Sequence, residues 1–369
     1  MPPKPVSTPS LRFYAGPAAL RHLREQGLRP QGIGAIPAAA GGPKGLILGP
    51  LDRFIFGQWL PRSAQPVDLV GASIGAWRMA TACLDDPAAA LLALQRVYIA
   101  QHFELPPGKK RATPDQISGQ FANNLQRFYG GRVNEVLAHP RYRLHIVASR
   151  GRHVLARDGA LRTPLGYLGA FVSNAVGRKA LGAWLERVVF SSAPSGHAVE
   201  LPFATHDFRT RQIALSAENF MPALQASCSI PFVLRPVQHI PGAPAGAYWD
   251  GGITDYHLHL HYRTPDASPI VLYPHFQKAV VPGWLDKAWK RRHVSSHALD
   301  RMLVIAPDPD WVRTLPEGKL PDRNDFTRYG QDLAGRMKVW NGATAAAERL
   351  ADEFARWLER PDLSRIEAL

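Results

Sequence analysis

The stretch VDLVGASIGAWRMA, residues 67–80, combines an apolar strand, a Gly-x-Ser-x-Gly pentapeptide and an apolar helix. A serine between a buried strand and a helix lies on a sharp turn, and flanking glycines allow neighbouring segments to approach it closely. The helix that follows directs its N-terminal amides toward developing negative charge. Ser73 is therefore a candidate nucleophile, and Gly71 and Gly75 shape its turn. The alternative is a purely structural strand-to-helix turn, which the pentapeptide alone does not exclude.

A second glycine-rich turn, GGPKG, occupies residues 41–45 and follows an apolar segment. Acyl transfer requires preorganised N–H donors around the carbonyl oxygen as it becomes an oxyanion. Pro43 has no N–H, so the candidate donors are the amides of Gly41, Gly42 and Lys44. A phosphate-binding loop is the competing interpretation, but the Gly-x-x-x-x-Gly-Lys-Ser/Thr spacing is missing. A turn without chemistry is the remaining alternative.

A candidate base for Ser73 comes from YWDGGITD, residues 248–255. A serine hydroxyl is a poor nucleophile at neutral pH and needs a base within hydrogen-bond reach. Asp250 is followed by Gly251 and Gly252, which would hold it in a tight turn, and no comparable turn presents a histidine. An isolated Asp-Gly-Gly is more often an ordinary turn.

Apolar strands alternate with helical segments along the chain, which predicts an α/β fold with a mostly parallel sheet. The predicted strands are 33–40, 67–70, 143–150, 187–192, 211–217, 269–273 and 302–306. The predicted helices are 17–27, 46–60, 74–84, 87–103, 114–130 and a tail around 350–358. The apolar, glycine-rich stretch 165–185 is predicted to be a core helix, with a lid over an acyl pocket as the alternative.

Taken together, the motifs resemble those of the patatin-like phospholipase family. GGPKG, GASIG and DGG occur in the family's order, and ASCSIPFVLRPV (226–237) is similar to its Ala-Ser-x-x-x-Pro segment. The resemblance covers about residues 33–260. It implies a three-layer α/β/α fold and a Ser-Asp dyad without histidine, in which Ser73 forms the acyl-enzyme and Asp250 takes its proton. It also implies acyl esters of lipids as substrates, and we expect no cofactor.

The domain organisation predicted from the sequence is simple, because neither an internal repeat nor a clear linker is visible. We expect a flexible N-terminal arm over residues 1–10, which are rich in proline and serine. A catalytic domain is expected over 11–320, with its motif core at 33–260. A helical segment, 321–369, is expected to pack on that domain.

The chain is basic, with 44 Lys and Arg against 30 Asp and Glu and a net charge of +14. Such a charge favours a membrane surface, nucleic acid or acidic substrates, although it can also serve solubility alone. The stretch GWLDKAWKRRH, 283–293, suits an anionic lipid interface, or it is a basic helix that packs its tryptophans inward. Its candidate membrane-contact residues are Trp284, Lys287, Trp289, Lys290, Arg291 and Arg292. Nucleic acid is not expected as a partner, because no helix-turn-helix, zinc or RNA-binding signature is present.

The sequence gives weaker indications of the cellular compartment and of metal binding. Two cysteines in 369 residues indicate a reducing compartment, and neither a secretory signal nor a membrane-spanning run is visible. We therefore expect a cytoplasmic protein, with peripheral membrane association open. His257, His259 and His261 would share one face of an extended segment, where they could bind zinc or form a solvated strand face. We predict no metal.

Three functional hypotheses follow from the sequence. The first is a lipid acyl hydrolase that uses Ser73 and Asp250, and acyl transfer to an alcohol is its close variant. The second is a non-catalytic membrane-surface binding protein on a patatin-like scaffold. The third, a nucleic-acid binder, ranks last.

Overall fold

The computed structural model describes residues 9–105, 112–193 and 199–369. Its strands are β1 (Leu11–Ala15), β2 (Ile33–Ala38), β3 (Val67–Ala72), β4 (Tyr142–Gly151), β5 (Leu185–Ser191), β6 (Thr210–Ala214), β7 (Val237–Gln238), β8 (Ala247–Asp250), β9 (Ile270–Pro274), β10 (Met302–Pro307) and β11 (Ile366–Ala368).

The α-helices are α1 (Pro17–Gln26), α2 (Gly49–Phe54), α3 (Ile74–Ala82), α4 (Pro87–Ile99), α5 (Pro114–Tyr129), α6 (Val133–Leu137), α7 (Arg162–Val176), α8 (Arg178–Leu181), α9 (Phe220–Ser227), α10 (Pro309–Val312), α11 (Asn324–Tyr329), α12 (Leu333–Ala346) and α13 (Glu348–Glu359). Shorter 3₁₀ turns connect them, among them Gly42–Leu48, Gly251–Ile253, Trp284–Ala288 and Lys290–Arg292.

One twisted sheet organises the chain, in the strand order β11-β1-β10-β9-β2-β3-β4-β5-β6. Its central pairs, from β10 through β9, β2 and β3 to β4, are all parallel, whereas β1 with β10 and β4 with β5 are antiparallel. Helices flank the sheet. The α/β prediction with a mostly parallel sheet is confirmed, and the arrangement is consistent with a three-layer patatin-like fold.

The central strands are buried along their whole length, because apolar side chains point to both faces of the sheet. Every residue of β2, β3, β9 and β10 is buried. Strands covered by helices on both faces read as continuous apolar runs rather than as alternating ones. Pro37 lies inside β2, in register with Val70 of β3.

Strands β3 and β8 share one edge of β4 and meet there with their C-terminal ends. Strand β3 runs parallel to β4, and its last pair is Ala72 with Val147. Strand β8 runs antiparallel to β4, and its last pair is Asp250 with Ala148. Neighbouring residues of β4 therefore hold the end of β3 against the end of β8, although the two strands are far apart in sequence.

Several local expectations differ from the structure. The helix predicted over 46–60 is a series of short helical segments, with α2 at its centre and a π-helical stretch, Ile55–Trp59, after it. The C-terminal segment is not only helical, because β11 pairs with β1 at the sheet edge. Of the predicted N-terminal arm, residues 1–8 lie outside the described residues, and Ser10 is buried, with its N–H donated to Glu353 at 2.6 Å.

Candidate active site

Ser73 occupies the turn between β3 and α3 with φ 58° and ψ −130°. Non-glycine residues rarely adopt positive φ, and such a conformation persists only where its surroundings hold it. The Ser73 N–H donates to Ser227 Oγ at 3.0 Å, and the Ser227 hydroxyl donates to the carbonyl of Val147 at 2.6 Å. These two hydrogen bonds tie the strained turn to α9 and β4.

The flanking glycines are required by close backbone approaches. A Cβ atom at Gly75 would lie 1.9 Å from the carbonyl oxygen of Ala38, and one at Gly71 would lie 2.4 Å from Cα of Ala76. Neither position has room for a side chain. The Gly-x-Ser-x-Gly spacing therefore lets α3 pack directly on the end of β2 and brings its N-terminus beneath Ser73.

Asp250 ends β8 and faces Ser73. Its Oδ2 accepts a hydrogen bond from the Ser73 hydroxyl at 2.7 Å, and its Oδ1 accepts one from the Gly252 N–H at 2.7 Å. The Asp250 carbonyl accepts a bond from Ser149 Oγ at 2.9 Å. A Cβ at Gly251 would lie 2.0 Å from a carbonyl oxygen of β4. The two glycines thus permit the turn that fixes both carboxylate oxygens.

The 41–45 turn lies beside this pair. Gly42 has φ +57°, and a Cβ at Gly41 would lie 2.7 Å from the Phe276 ring, so both positions suit glycine. The amides of Gly41 and Gly42 have no hydrogen-bond acceptor among the described residues. Gly42 lines the same cavity as Ser73, whereas Gly41 and Lys44 do not line it. The Lys44 ammonium lies 5.3 Å from the centre of the Phe276 ring.

The segment ASCSIP supplies positioning contacts that the sequence analysis did not assign. Ser227 accepts the Ser73 N–H, and the carbonyl of Ser229 accepts the Asp250 N–H at 2.9 Å. Residues 227–229 therefore contact both members of the pair. The sequence analysis quoted this segment for its resemblance to the family. Its residue pattern does not distinguish a serine that positions Ser73, such as Ser227, from a serine that only packs.

Burial and the surrounding polar groups shift the pKa of Asp250 in opposite directions. Burial raises the pKa of Asp250, while the positive charge of Arg323 and the hydrogen bonds from Ser73 and Gly252 lower it, and burial prevails. Burial together with the charges of Arg323 and Lys44 lowers the pKa of Lys287 to about 8.

Arg323 was not anticipated, because it lies outside the recognised motifs. Its Nε would lie 3.1 Å from a Cβ at Gly42, and it lines the cavity that contains Ser73. Within the described ranges, its guanidinium forms no ion pair. An unpaired cation therefore lies beside the nucleophile's cavity.

The cavity that contains Ser73 has a volume of about 510 Å³ and mostly apolar walls. Ligand sites in proteins are typically apolar clefts of this size order with a few polar groups that fix orientation. Its apolar lining includes Ile74, Trp77, Phe121, Ile230, Phe232 and Leu234. The space suits an acyl chain, with Ser73 and Gly42 as the polar end.

The histidine row does not form the predicted shared face. Residues 257–261 are not a strand, and Leu258 has φ 51°, which breaks the expected alternation. His257 is buried against the ring of His275. His259 forms hydrogen bonds through both ring nitrogens, with a carbonyl at 2.8 Å and with a hydroxyl at 2.7 Å. His261 packs elsewhere, against another histidine ring. Among the described residues, no group of three or more His, Cys, Asp or Glu could hold a metal ion.

The basic stretch 283–293 consists of two 3₁₀ turns rather than one helix. Trp289 stacks on Phe171 at 5.9 Å, and Lys287 lies over the Tyr256 ring at 4.1 Å. Arg292 pairs with the buried Asp286 at 2.7 Å. Trp284 packs partly buried against the core. Three cations of the stretch, Lys287, Lys290 and Arg291, are exposed and form no ion pair within the described residues. Membrane contact by this stretch stays a prediction.

One family model matches the part of the chain that carries this site. The family model described as "Patatin-like phospholipase" matches residues 40–257, which is more than half of the chain and includes the glycine turn, Ser73 and Asp250. A comparison with curated proteins gave no match. Family membership implies lipid acyl hydrolase activity and lipid substrates. By this match, the chain belongs to the patatin-like phospholipase family.

Proposed function

We propose that the protein cleaves acyl esters of lipids through a Ser73–Asp250 dyad and a covalent acyl-enzyme. The observation that carries the proposal is the 2.7 Å hydrogen bond from the Ser73 hydroxyl to the Asp250 carboxylate. A nucleophile and a base within hydrogen-bond reach are the signature of this chemistry. The apolar cavity beside Ser73 supports an acyl substrate.

In the acylation step, Ser73 Oγ attacks the ester carbonyl carbon, and its proton passes to Asp250 Oδ2. The carbonyl oxygen gains negative charge and is stabilised by the free amides of the 41–42 turn and by the N-terminus of α3. Asp250 then gives the proton to the leaving alcohol oxygen as the ester C–O bond breaks. The raised pKa of Asp250 assists both transfers, because a carboxylate whose pKa lies closer to neutral pH is a stronger base.

In the deacylation step, Asp250 takes a proton from water, and the resulting hydroxide attacks the acyl carbon. The Ser73–acyl bond breaks, the fatty acid leaves, and the proton returns to Ser73. An alcohol in place of water would give acyl transfer by the same steps. Adding methanol to the assay distinguishes the two outcomes, because a transferase produces the methyl ester in preference to the free acid.

The charge around the cavity favours lipids with an anionic head group over neutral acylglycerols. Arg323 lines the cavity without an ion-pair partner in the described parts of the chain, and Lys287 and Lys44 contribute further positive charge nearby. A guanidinium binds phosphate or carboxylate oxygens well because of its planar set of donors. We therefore infer a phosphate-bearing acyl ester as the preferred substrate class.

Labelling with a fluorophosphonate probe, followed by peptide mapping, tests the dyad. We expect a single label on Ser73 in the wild type, none in Ser73→Ala, and full labelling in the control Ser63→Ala. Hydrolysis of a short-chain chromogenic ester should fall on the order of a hundredfold or more in Ser73→Ala and in Asp250→Asn. Equal rates in wild type and Ser73→Ala, or a label on another serine, would refute the proposal.

A non-catalytic membrane-binding protein on the same scaffold is the competing function. It predicts no labelling and no hydrolysis in the wild type, together with binding to lipid vesicles. The hydrogen-bonded Ser73–Asp250 pair favours catalysis over this alternative.

A further inference from the structure

Helix α7 presents an apolar stripe to solvent. Leu161, just before it, is 77 % exposed, and Leu165, Leu168, Val172 and Val176 are 62, 59, 57 and 85 % exposed. These residues follow one another at intervals of three or four, so they lie on one face of the helix. They are five of the ten exposed large hydrophobic residues in the described ranges. The expectation that 165–185 is a core helix is therefore wrong for this face.

The opposite face of α7 is fixed against the protein, which sets the direction of the stripe. A Cβ at Gly166 would lie 2.4 Å from the Leu155 side chain, and one at Gly169 would lie 2.4 Å from the Trp184 ring. Asn174 donates to Asp286 at 2.8 Å. Rotation of the helix to bury its leucines would break these contacts, so the stripe is the native outward face.

Tryptophans lie along both flanks of the stripe. Trp184 donates its indole N–H to Ser173 of α7 at 2.8 Å, and Trp289 stacks on Phe171 from the other side. Tryptophan is favoured at the level of lipid head groups because it combines an apolar ring with a polar N–H.

Exposed cations lie close in sequence to both ends of α7 or to Trp289, and none of them forms an ion pair within the described residues. The guanidinium of one, Arg291, lies 5.7 Å from the Trp289 ring. These cations include Arg157, Arg162, Lys179, Lys290 and Arg291. An apolar stripe among unpaired cations complements an anionic bilayer, whose head groups neutralise the charge while the acyl region takes the side chains.

Exposed residues that line the Ser73 cavity contact α7. Phe232 and Val233 line that cavity and are 56 and 44 % exposed. Phe232 has φ 68° and contacts the ring of Tyr167, on α7, at a centroid distance of 5.9 Å. Tyr167 is buried on the inner face of α7, so the stripe and the residues that line the cavity lie on two sides of the same helix.

We propose that α7 docks the protein on an anionic lipid surface and brings the Ser73 cavity close to the bilayer. The inference rests on the proposed function, because docking would serve the cleavage of lipids. The docking itself does not require catalysis. Soluble proteins seldom expose contiguous apolar surface without a partner for it. In the described parts of the chain no helix has the length and hydropathy to cross a bilayer. Because the opposite face of α7 packs against the protein, the helix would lie in the interface plane.

Vesicle flotation tests the docking surface. The probes are phosphatidylcholine vesicles with and without phosphatidylserine, and the variants are Leu165→Gln/Leu168→Gln/Val172→Gln, Lys290→Gln/Arg291→Gln and the control Val97→Gln. We expect wild type and control to bind the anionic vesicles, and the triple variant to bind on the order of tenfold or more weakly. The charge variant should bind less tightly and show a weaker salt dependence, since it lacks two of these cations. Equal binding by wild type and triple variant, or equal binding to neutral vesicles, overturns the proposal.

Site-specific fluorescence provides a second measurement that does not depend on the triple variant folding. Cys83 is buried, whereas Cys228 lines the Ser73 cavity, so an environment-sensitive dye is attached at Leu168→Cys or at the control Val97→Cys in a Cys228→Ala background. Anionic vesicles should shift the emission to shorter wavelength at position 168 and leave it unchanged at 97. No shift at 168, or a shift caused by self-association without lipid, overturns the proposal.

Hydrolysis of a short, water-soluble ester separates this inference from the proposed function. The triple variant should hydrolyse it at the wild-type rate, since none of the three residues lines the cavity, and should be slow only on vesicle substrates. A wild type that binds vesicles but never cleaves the soluble ester refutes the hydrolase alone. A wild type that cleaves the ester but ignores vesicles refutes the docking surface alone.

Discussion

The Oδ2 atom of Asp250 lies 2.7 Å from the Oγ atom of Ser73, across 177 positions of sequence. Asp250 ends β8, and Ser73 directly follows Ala72, the last residue of β3. Asp250 and Ala72 pair with adjacent positions of β4, Ala148 and Val147. The distance between them is therefore set by the register of a sheet rather than by a flexible loop. Sites held by regular elements keep their geometry more closely than sites on loops.

Replacing Asp250 by asparagine should lower activity on the order of a hundredfold or more and leave the fold as stable or more stable. Burial raises the pKa of Asp250 above 3.8, so the folded state holds that proton more tightly than the unfolded chain. The stability it contributes is complete below about 3.8 and is lost as pH rises through the folded-state value. We expect Asp250→Asn to match or exceed the wild-type Tm at pH 7, by about 1–3 °C.

Thermal denaturation at several pH values checks this, with Asp255→Asn as the contrast. Asp255 accepts bonds from Arg187 at 2.6 Å and Arg178 at 2.8 Å, so its neutralisation should cost about 3–5 kcal/mol. The Tm difference between Asp250→Asn and wild type should shrink as the pH is lowered. A Tm for Asp250→Asn well below wild type at pH 7 contradicts the argument.

Removing Arg323 should move the acid limb of the pH–rate profile to higher pH. Its charge lowers the pKa of Asp250 more than any other group does, so Arg323→Gln leaves the base protonated at pH values where the wild type works. The measurement is kcat/KM for a neutral ester between pH 4 and 9. Arg328→Gln is the control, since Arg328 pairs with Glu317 at 3.0 Å instead. An unchanged limb would show that Arg323 does not act on Asp250.

The same variant tests the inferred substrate charge. With Arg323→Gln, KM should rise for an anionic phosphate-bearing ester and change little for a neutral one of the same chain length. Equal changes in KM for both esters would contradict the preference for an anionic head group.

Exchanging Ser227 for alanine should lower kcat with little effect on KM. The Ser73 N–H would lose its acceptor, and a buried donor without a partner costs about 1–3 kcal/mol. Ser229→Ala is the matched control, because Ser229 holds Asp250 through its backbone carbonyl, which alanine retains. Steady-state kinetics and Tm measured on both variants check this. Equal kcat in the two variants would refute a positioning role for the Ser227 hydroxyl.

Gly75→Ala should destabilise the protein severely, because the added Cβ would lie 1.9 Å from the carbonyl of Ala38. Gly119→Ala is the control: it lies within α5 and a Cβ there meets nothing within 4 Å. That replacement should stabilise the protein by about 0.5–1 kcal/mol, since glycine is a poor helix former. Urea unfolding of both variants measures the difference. A Gly75→Ala variant as stable as wild type would show that the two segments do not pack so closely.

The local part of the site could be predicted from the sequence, because its cause is local. A small-residue turn between an apolar strand and an apolar helix is visible in residues 67–80, and it identified Ser73, Gly71 and Gly75. The pairing of β8 with β4 could not be predicted in this way, because β8 is only four residues long and its sequence does not indicate which strand it pairs with. The Asp-Gly-Gly turn made Asp250 a candidate, but its role as the base in a Ser-Asp dyad came from the family resemblance.

Three other parts of the chain were predicted wrongly or missed, each for a physical reason. The row at 257–261 alternates like a strand, but Leu258 adopts a left-handed conformation that the alternation does not reveal. Helix α7 is apolar on two faces, and periodicity cannot tell which face is inside. Arg323 lies more than 70 residues beyond the last recognised motif, so only the tertiary fold places it by the cavity.

The short strand that carries Asp250 has a consequence for how the protein loses activity. Strand β8 pairs with β4 over three residues and with β7 over two. It can therefore detach while the long central strands remain paired, since proteins open locally at free energies well below that of global unfolding. Heat inactivation should therefore set in below the temperature at which circular dichroism reports melting. The catalytic rate would then act as an early indicator of damage that spectroscopy of the whole chain does not yet detect.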